Sequence, residues 1–395
     1  MNAQKHTRIL YIGYWGANEG LSQATVMPHV KILCAFEQVE RVIYASVERT
    51  GDTQFTLPDS PKLTHIPLRA NRTPFRLLNK LLELTAFGRR LTEIAKKERI
   101  DLVICRSSLA GNWGLRIHRT LRIPFVVESF EPHADYMREL GIWPSWGPSY
   151  RYQRRMEEAQ KREALHLYPV AENYKKHLIA EGVSAEKITT VPCGVDADVF
   201  AFNPDDRAAT RAALGIGEDT TVGIYVGKFG GIYFSLKQAF ALFREAYDHF
   251  NSFHLILLSP TSYATLMPHA RASGYPETAL TLRTVPHAHV PAYLSAADFA
   301  FSLHYPSPAM RFVSPIKNGE YWANGLPIVI SEGIGDDSEL VTNFNIGVVF
   351  GQRSSPDWTR VVNVVSLNDR RIETALLREF KISRSAYANL LNLNA

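Results

Sequence analysis

Cysteine is scarce in this chain of 395 residues, which contains Cys34, Cys105 and Cys193. An odd number of widely separated thiols cannot all pair, and their spacing matches no zinc-binding pattern. The sequence therefore predicts neither a disulfide framework nor a metal centre, and a reducing compartment suits it.

Long hydrophobic runs are also missing, since no apolar stretch approaches the roughly 20 residues that span a bilayer. Residues 1–6 lack the apolar core of a signal peptide and lead directly into a strand. We therefore expect a cytoplasmic protein that does not cross the membrane, with attachment to its inner face left open.

What the chain does have is the composition of a globular protein, with 46% apolar and 21% charged residues. Its length suits two domains, each able to bury a core. Apolar runs predict strands at 8–12, 39–47, 101–106 and 124–127, and again at 222–226, 253–258, 299–303 and 326–330. Because helical patterns separate these strands, the predicted fold class is α/β, with two Rossmann-like domains built on parallel sheets.

The net charge of +5 is unevenly distributed. Residues 1–200 contain 28 Lys and Arg against 22 Asp and Glu, a difference of +6, whereas the remainder contains 16 against 17, a difference of −1. The excess lies at Arg69–Arg76, Arg89–Arg99 and Arg151–Arg162. Such asymmetry fits an anionic lipid surface, a phosphate-bearing acceptor or an ordinary solvated face. Nucleic acid is not expected, because no aromatic-studded basic platform is present.

One basic stretch, 75–97, also predicts a long amphipathic helix, with leucines on one side and arginines and lysines on the other. The leucine side is interpreted as core. A helix that rests on a membrane surface is the alternative.

Two loops of the first half follow predicted strands. Gly16 and Gly20 come after the first strand and before a predicted helix over residues 22–36, without the G-x-G-x-x-G spacing of a dinucleotide site. Glu131, His133 and Asp135 come after the strand at 124–127. Because ligands of open α/β sheets bind just beyond carboxyl strand ends, these residues are candidates for a polar site. A packed or capping histidine is the alternative for His133.

The most informative stretch is residues 314–325. Ser314 is expected to cap a short helix, Pro315 to occupy its first position and Gly325 to end it. Lys317 lies in the first turn, where the helix dipole disfavours a cation unless an anion binds there too. Glu320 lies on the same face, so a diphosphate beside Lys317 and a ribose beside Glu320 would suit a nucleotide. An exposed Lys317–Glu320 ion pair is the alternative.

A second glycine turn with a cation follows the strand at 222–226. Gly227 and Lys228 open it, and the lysine is placed to act as a point charge on a phosphate.

These stretches together resemble the donor region of GT-B glycosyltransferases, most nearly the retaining, family-4-like group. The likeness rests on Ala296-Ala297-Asp298, on Pro315-x-Lys317-x-x-Glu320-Tyr321-x-Ala323-x-Gly325-x-Pro327-x-Val329, and on Gly333-Ile334-Gly335-Asp336. It implies a GT-B architecture in which two Rossmann-like domains face a cleft. The implied limits are 1–202 for the acceptor domain, 203–375 for the nucleotide-sugar domain and 376–395 for a helix that crosses back.

The resemblance also implies a reaction: transfer of a sugar from a nucleoside diphosphate sugar to an acceptor hydroxyl with retention. Glycan or glycolipid assembly at the cell surface, a saccharide or lipid-linked saccharide acceptor, and no metal or cofactor are expected. The implied catalytic residues are His133, Lys228 and Lys317, and Glu320 binds the ribose. Other donor-binding residues are Ser314, Pro315, Ile316, Gly227 and Gly335; on the acceptor side they are Gly16, Gly20, Glu131 and Asp135.

The chain departs from the family pattern at two places. Phe312 replaces the first of two glutamates, as in a subgroup with Pro-x-Lys-x-x-Glu-Tyr, and glycine or an aromatic residue replaces a second lysine after Lys228. Two alternatives therefore stay open. One is a non-catalytic protein that binds nucleotide-sugars or acts as a scaffold; the other is an epimerase that uses Glu128, Glu131 and Asp135.

Overall fold

In a computed structural model of the chain, the described residues are 6–49, 51–70, 83–351, 353–367 and 377–393. The chain forms two compact units, Met1–Gly194 with Phe380–Ala395, and Val195–Glu379. These limits differ by a few residues from the domain limits expected from the sequence.

The first unit contains a parallel sheet in the order β3-β2-β1-β4-β5-β6. Its strands are β1 (Thr7–Gly13), β2 (Val39–Glu48), β3 (Leu63–Arg69), β4 (Leu102–Arg106), β5 (Phe125–Phe130) and β6 (His166–Pro169). Its helices are α1 (Gly20–Thr25), α2 (Met27–Cys34), α3 (Gly88–Lys97), α4 (Ser108–Leu121), α5 (His133–Glu139), α6 (Pro148–Glu163) and α7 (Glu172–Ala180). Residues Ile9 to Ile12 of β1 are fully buried. Such burial is expected for a central parallel strand with helices on both faces.

The second unit repeats this plan with the order β12-β11-β10-β7-β8-β9. Its strands are β7 (Thr221–Val226), β8 (Phe253–Leu258), β9 (Leu280–Arg283), β10 (Phe299–Ser302), β11 (Ile328–Ser331) and β12 (Gly347–Phe350). Its helices are α8 (Pro204–Leu214), α9 (Leu236–His249), α10 (Tyr263–Ala272), α11 (Val290–Ala296), α12 (Ile316–Ala323), α13 (Asp337–Phe344) and α14 (Trp358–Leu367). The last helix, α15 (Lys381–Leu393), packs in the first unit, where Tyr387 and Leu390 join the core around β1.

The helices differ from expectation in two places. The predicted helix over residues 22–36 is divided into α1 and α2 at Val26, because Pro28 lies in the first turn of α2 and favours a new start. Of the predicted helix 75–97, residues 75–82 lie outside the described residues. The remainder is a π-helical turn, Glu83–Phe87, followed by α3, which buries Leu91 and Ile94.

In both sheets the order in which the strands are added changes side at an equivalent place. The order reverses between β1 and β4 in the first unit and between β7 and β10 in the second. Ligands of such sheets bind at the carboxyl strand ends beside this switch point. The predicted α/β class with two parallel sheets is confirmed. None of the helices in the described ranges combines the length and the apolarity that a membrane crossing requires.

Candidate functional site

A hydrogen bond links the carboxyl end of β7 to α12. The backbone N–H of Val226 donates to the hydroxyl of Tyr321 at 3.0 Å, and the tyrosine is fully buried. The tyrosine hydroxyl thus takes the place of a neighbouring strand as the acceptor for this N–H, at the point where β7 ends and the glycine turn begins. The Glu-Tyr part of the sequence motif therefore holds the helix against the switch point of the second sheet.

The start of α12 differs from the prediction. The helix begins at Ile316, with Pro315 in the cap position in extended backbone and without a side-chain cap. Ser314 does not cap the helix, because its hydroxyl accepts a hydrogen bond from the buried guanidinium of Arg378. Gly325 follows the helix with a φ of +74°, so the left-handed end predicted there is confirmed.

Arg378 connects this segment to the next helix. Its guanidinium also pairs with the carboxylate of Asp337, which accepts a further bond from Asn318 Nδ2 at 2.7 Å. The side chains of Arg378 and Asp337 are almost fully buried. A charge-assisted network of this kind fixes the first turns of α12 and α13 against each other.

Lys317 extends from the first turn of α12 into an aromatic enclosure. Its Nζ lies 4.6 Å from the ring centre of Tyr225 and 4.5 Å from that of Tyr233, over both faces. The nitrogen is out of contact with solvent and has no hydrogen-bond partner among the described residues. Two ring faces attract the ammonium but do not replace its lost hydration.

Gly227 makes room for this lysine. A Cβ at position 227 would lie 3.0 Å from Lys317 Nζ, and the φ of +139° disfavours other residues there. The glycine turn and the lysine of α12, which the sequence placed on separate elements, are therefore neighbours in space.

Burial lowers the pKa of Lys317 to about 7, and the nearby carboxylate of Glu320 opposes this shift. A buried ammonium without a partner costs free energy in the empty protein. An anion at the first turn of α12 would remove that cost, because helix N–H groups and the ammonium would bind it together. The arrangement has the charge and the donor groups to bind a phosphate or diphosphate.

Glu320 also lies inside the unit, with 7% of its side chain exposed. Its Oε1 accepts a hydrogen bond from His287 Nε2 at 2.7 Å, which raises the pKa of His287. The alternative of an exposed Lys317–Glu320 pair is thus excluded. His287 belongs to the 3₁₀ turn His287–His289 before α11, and nothing in the sequence distinguished it from any histidine in a turn.

The loop residues predicted for the donor site have different surroundings. Lys228 is exposed, and its carbonyl accepts a bond from the hydroxyl of Tyr225 at 2.5 Å, so the loop is tied to the Lys317 enclosure through its backbone. Gly335 has a φ of +52°, and a Cβ there would lie 2.0 Å from the carbonyl oxygen of Val313. Only glycine allows the loop after β11 to pack on the segment that precedes α12.

Residues predicted for the acceptor side lie in the first unit. The N–H of Gly16 donates to Glu19 at 3.0 Å, and Gly20 is the exposed first residue of α1. His133 is not a loop residue: it begins α5, buried, with its ring centre 5.5 Å from that of Trp143. Asp135 accepts a bond from the hydroxyl of Tyr150 and pairs with an arginine of its own helix.

Two carboxylates near the end of β5 have distinct environments. Burial raises the pKa of Glu131 to about 7, and the charge of Arg106 opposes the shift. Glu128 is buried and accepts hydrogen bonds from the hydroxyls of Tyr11 and Tyr387. Since Tyr387 belongs to α15, Glu128 anchors the last helix. The epimerase alternative loses one of its three candidate carboxylates to this structural role.

The described residues contain no group of three or more His, Cys, Asp or Glu arranged to hold a metal ion. The organisation around Lys317 offers positive charge of its own to an anion.

Comparison with known proteins shows what the chain is similar to. Residues 41–199 match the family model described as Glycosyltransferase Family 4. The fold is GT-B, as in the solved structures that align over nearly the whole chain. The narrower subgroup with Pro-x-Lys-x-x-Glu-Tyr stays a prediction.

Several solved structures share the whole fold. Sucrose-phosphate synthase from Thermosynechococcus elongatus aligns with a TM-score of 0.74 and 16% identity, over 98% of this chain and 99% of its own. HepE of Anabaena in complex with UDP-glucose aligns with a TM-score of 0.69 and 15% identity, over 98% of this chain and 100% of its own. WaaG, a glycosyltransferase involved in lipopolysaccharide biosynthesis, aligns with a TM-score of 0.68 and 15% identity, over 97% and 99%. No curated protein sequence matches the chain.

Proposed function

We propose that this GT-B glycosyltransferase transfers a sugar from a nucleoside diphosphate sugar to an acceptor hydroxyl with retention, in glycan or glycolipid assembly. One observation carries the proposal: the ammonium of Lys317 is enclosed by two tyrosine rings beside the glycine turn and the first turn of α12, and no described residue forms a hydrogen bond with it. That group needs an anion. A leaving diphosphate is the anion that this chemistry supplies.

In this proposal each candidate residue has a role that its position supports. Lys317 meets the negative charge that grows on the leaving diphosphate. Ser314, Pro315 and Ile316 lead into the helix start, where backbone N–H groups are available after Pro315, which has none. Lys228, exposed on the facing loop, adds a point charge once a ligand is present. Glu320 takes the ribose hydroxyls. In the first unit, His133, Glu131 and Asp135 mark the acceptor side. No metal is required in this scheme, because protein cations neutralise the diphosphate.

The test is a panel of UDP-, GDP- and dTDP-sugars, incubated with the pure protein and a saccharide or lipid-linked saccharide acceptor in the presence of EDTA. We expect nucleotide release with one donor, and a product whose anomeric configuration, read by NMR, equals that of the donor. Binding without release would support a non-catalytic nucleotide-sugar-binding protein. Phe312 in place of a glutamate and the missing second lysine favour that alternative. Interconversion of the donor sugar would indicate an epimerase.

Support for a membrane partner comes from the surface between α5 and α6. Trp146 and Ile142 are 74% and 58% exposed in this loop, and α6 beside it exposes Arg151, Arg154 and Arg155. Exposed aromatic and aliphatic side chains next to arginines suit the interface of an anionic bilayer. We propose that this loop attaches the first unit to the cytoplasmic face of a membrane.

Replacing Ile142 and Trp146 by serine is expected to weaken sedimentation with phosphatidylglycerol vesicles severalfold, because the apolar contribution to binding is lost. Wild-type binding should also fall as salt rises. Phe344→Ser, at a residue 58% exposed in the second unit, serves as the matched control. Equal sedimentation of the loop variant and wild type would rule this surface out.

A further inference from the structure

We propose that His287 is a positioning residue for recognition of the ribose, because it holds the carboxylate of Glu320 in the orientation that presents its second oxygen to a ribose hydroxyl. This rests on the proposed function, in which Glu320 receives the ribose of the donor.

The geometry assigns the two carboxylate oxygens different tasks. Oε1 accepts the hydrogen bond from His287 Nε2, whereas Oε2 accepts none from the described residues. A glutamate has three side-chain torsions, and fixing them costs free energy that a ligand would otherwise supply on binding. The hydrogen bond to His287 restricts these torsions before the ligand binds.

The two partners have unequal environments. Glu320 is buried, whereas 53% of the His287 side chain is exposed, with its ring centre 5.4 Å from that of Phe200. The hydrogen bond to Glu320 comes from His287, whereas Lys317, which lies close enough to interact with the carboxylate electrostatically, is committed to the aromatic enclosure. Because His287 stands at the surface, its replacement should leave the fold intact.

The site should therefore prefer ribose over deoxyribose. A hydroxyl that donates to a charged, pre-oriented carboxylate should discriminate against its deoxy analogue by about 10- to 100-fold. Without His287 the carboxylate turns freely, so binding of the ribonucleotide weakens while binding of the deoxyribonucleotide changes little.

The experiment measures dissociation constants of UDP, GDP and ADP by calorimetry, and then compares the tightest with its 2′-deoxy and 3′-deoxy forms. For wild type, one deoxy form should bind about 10- to 100-fold more weakly. For His287→Ala this ratio should fall to a few-fold, and for His287→Gln, whose side-chain amide is also a donor, it should be largely restored. His289→Ala, which removes an exposed histidine from the same 3₁₀ turn, is the matched control and should keep the wild-type ratio.

A double variant tests whether His287 affects ribose discrimination through Glu320. If His287 acts through Glu320, then adding His287→Ala to Glu320→Gln should change the ratio no further. An unchanged ratio in His287→Ala, with discrimination intact in wild type, would overturn the role of His287 and leave the proposed function standing. If wild type binds neither these three nucleotides nor dTDP, the proposed function itself fails.

Discussion

Replacing Lys317 by methionine is expected to lower turnover of the nucleotide-sugar by about 10²- to 10³-fold, the usual cost of removing one group that stabilises developing charge. The same change should raise the stability of the second unit by about 1–3 kcal/mol, because it removes a buried ammonium to which no described residue forms a hydrogen bond. Methionine keeps the length and the contact with the tyrosine rings. Steady-state kinetics and thermal unfolding measure the two effects.

The opposite signs distinguish a ligand site from a structural lysine. A lysine that holds the fold together would lose stability on replacement, which would contradict the assignment. Lys237→Met is the matched control, since Lys237 is an exposed lysine in the first turn of α9 and should change neither quantity. Loss of turnover in that control equal to the loss in Lys317→Met would also argue against a specific site.

The pH dependence of binding isolates the charge of Lys317. Burial lowers its pKa to about 7 in the empty protein, and a bound diphosphate must raise that pKa. Binding then takes up no proton below pH 7 and takes up one above it. The affinity for the nucleotide-sugar that the donor panel selects should therefore be constant below pH 7 and fall up to tenfold for each pH unit above it.

A nucleotide-sugar is the right probe, because its diphosphate lacks the terminal phosphate that titrates near pH 6 in a free nucleoside diphosphate. In Lys317→Met the affinity should be weaker and independent of pH across this range. A wild-type affinity that does not change between pH 7 and 9 would contradict the lowered pKa.

The strands that sequence patterns predicted are the eight interior strands of the two sheets, and those they missed are the four edges, β3, β6, β9 and β12. Interior parallel strands are covered on both faces and become continuous apolar runs. Among the edge strands, β3 and β9 are only partly buried, and β3 and β6 each contain a proline. Partial burial and proline interrupt the apolar run, so the sequence pattern of these edge strands is weak.

The residues of the candidate site likewise divide into those that the sequence indicated and those that it did not. Lys317, Glu320 and Gly227 were found from local rules: a cation in a first turn, a carboxylate on the same face, and glycine after a strand. Tyr225 and Tyr233 were not recognised as the enclosure of Lys317, because a cation–π contact between distant segments leaves no periodic signal. His287 is 33 positions from Glu320 in the chain, and Arg378 is 64 positions from Ser314. Only the fold brings such pairs together.

Ser314 shows how a local rule fails. Serine before proline and a helix is a strong capping pattern, yet its hydroxyl is taken by Arg378. A guanidinium that is buried beside it offers a charge-assisted bond, which is stronger than a neutral cap. Tertiary structure thereby overrides the preference of the segment.

Arg378→Met is the second change with a large expected effect, and its target is stability. The substitution leaves the carboxylate of Asp337 buried without its cation, and breaking such a pair from one side costs about 3–5 kcal/mol. Because a chain of two units need not unfold in one step, the measurement is hydrogen exchange at the amides of α12 and α13. Arg353→Met, at an exposed arginine of the same unit, should leave exchange unchanged.

A second substitution separates charge from packing. In Arg378→Met/Asp337→Asn the stranded charge is gone, and Asn318 can still donate to the new amide, so most of the loss should be recovered. Failure to recover would show that the loss comes from packing of the guanidinium on Trp322, 5.6 Å away, rather than from the buried carboxylate. Since the same guanidinium holds Ser314 at the start of α12, the single variant should also bind the selected nucleotide-sugar more weakly. The double variant still lacks that bond and should not regain affinity. Stability restored without affinity would thus assign Arg378 two separable tasks, one in the fold and one in placing the helix that carries Lys317.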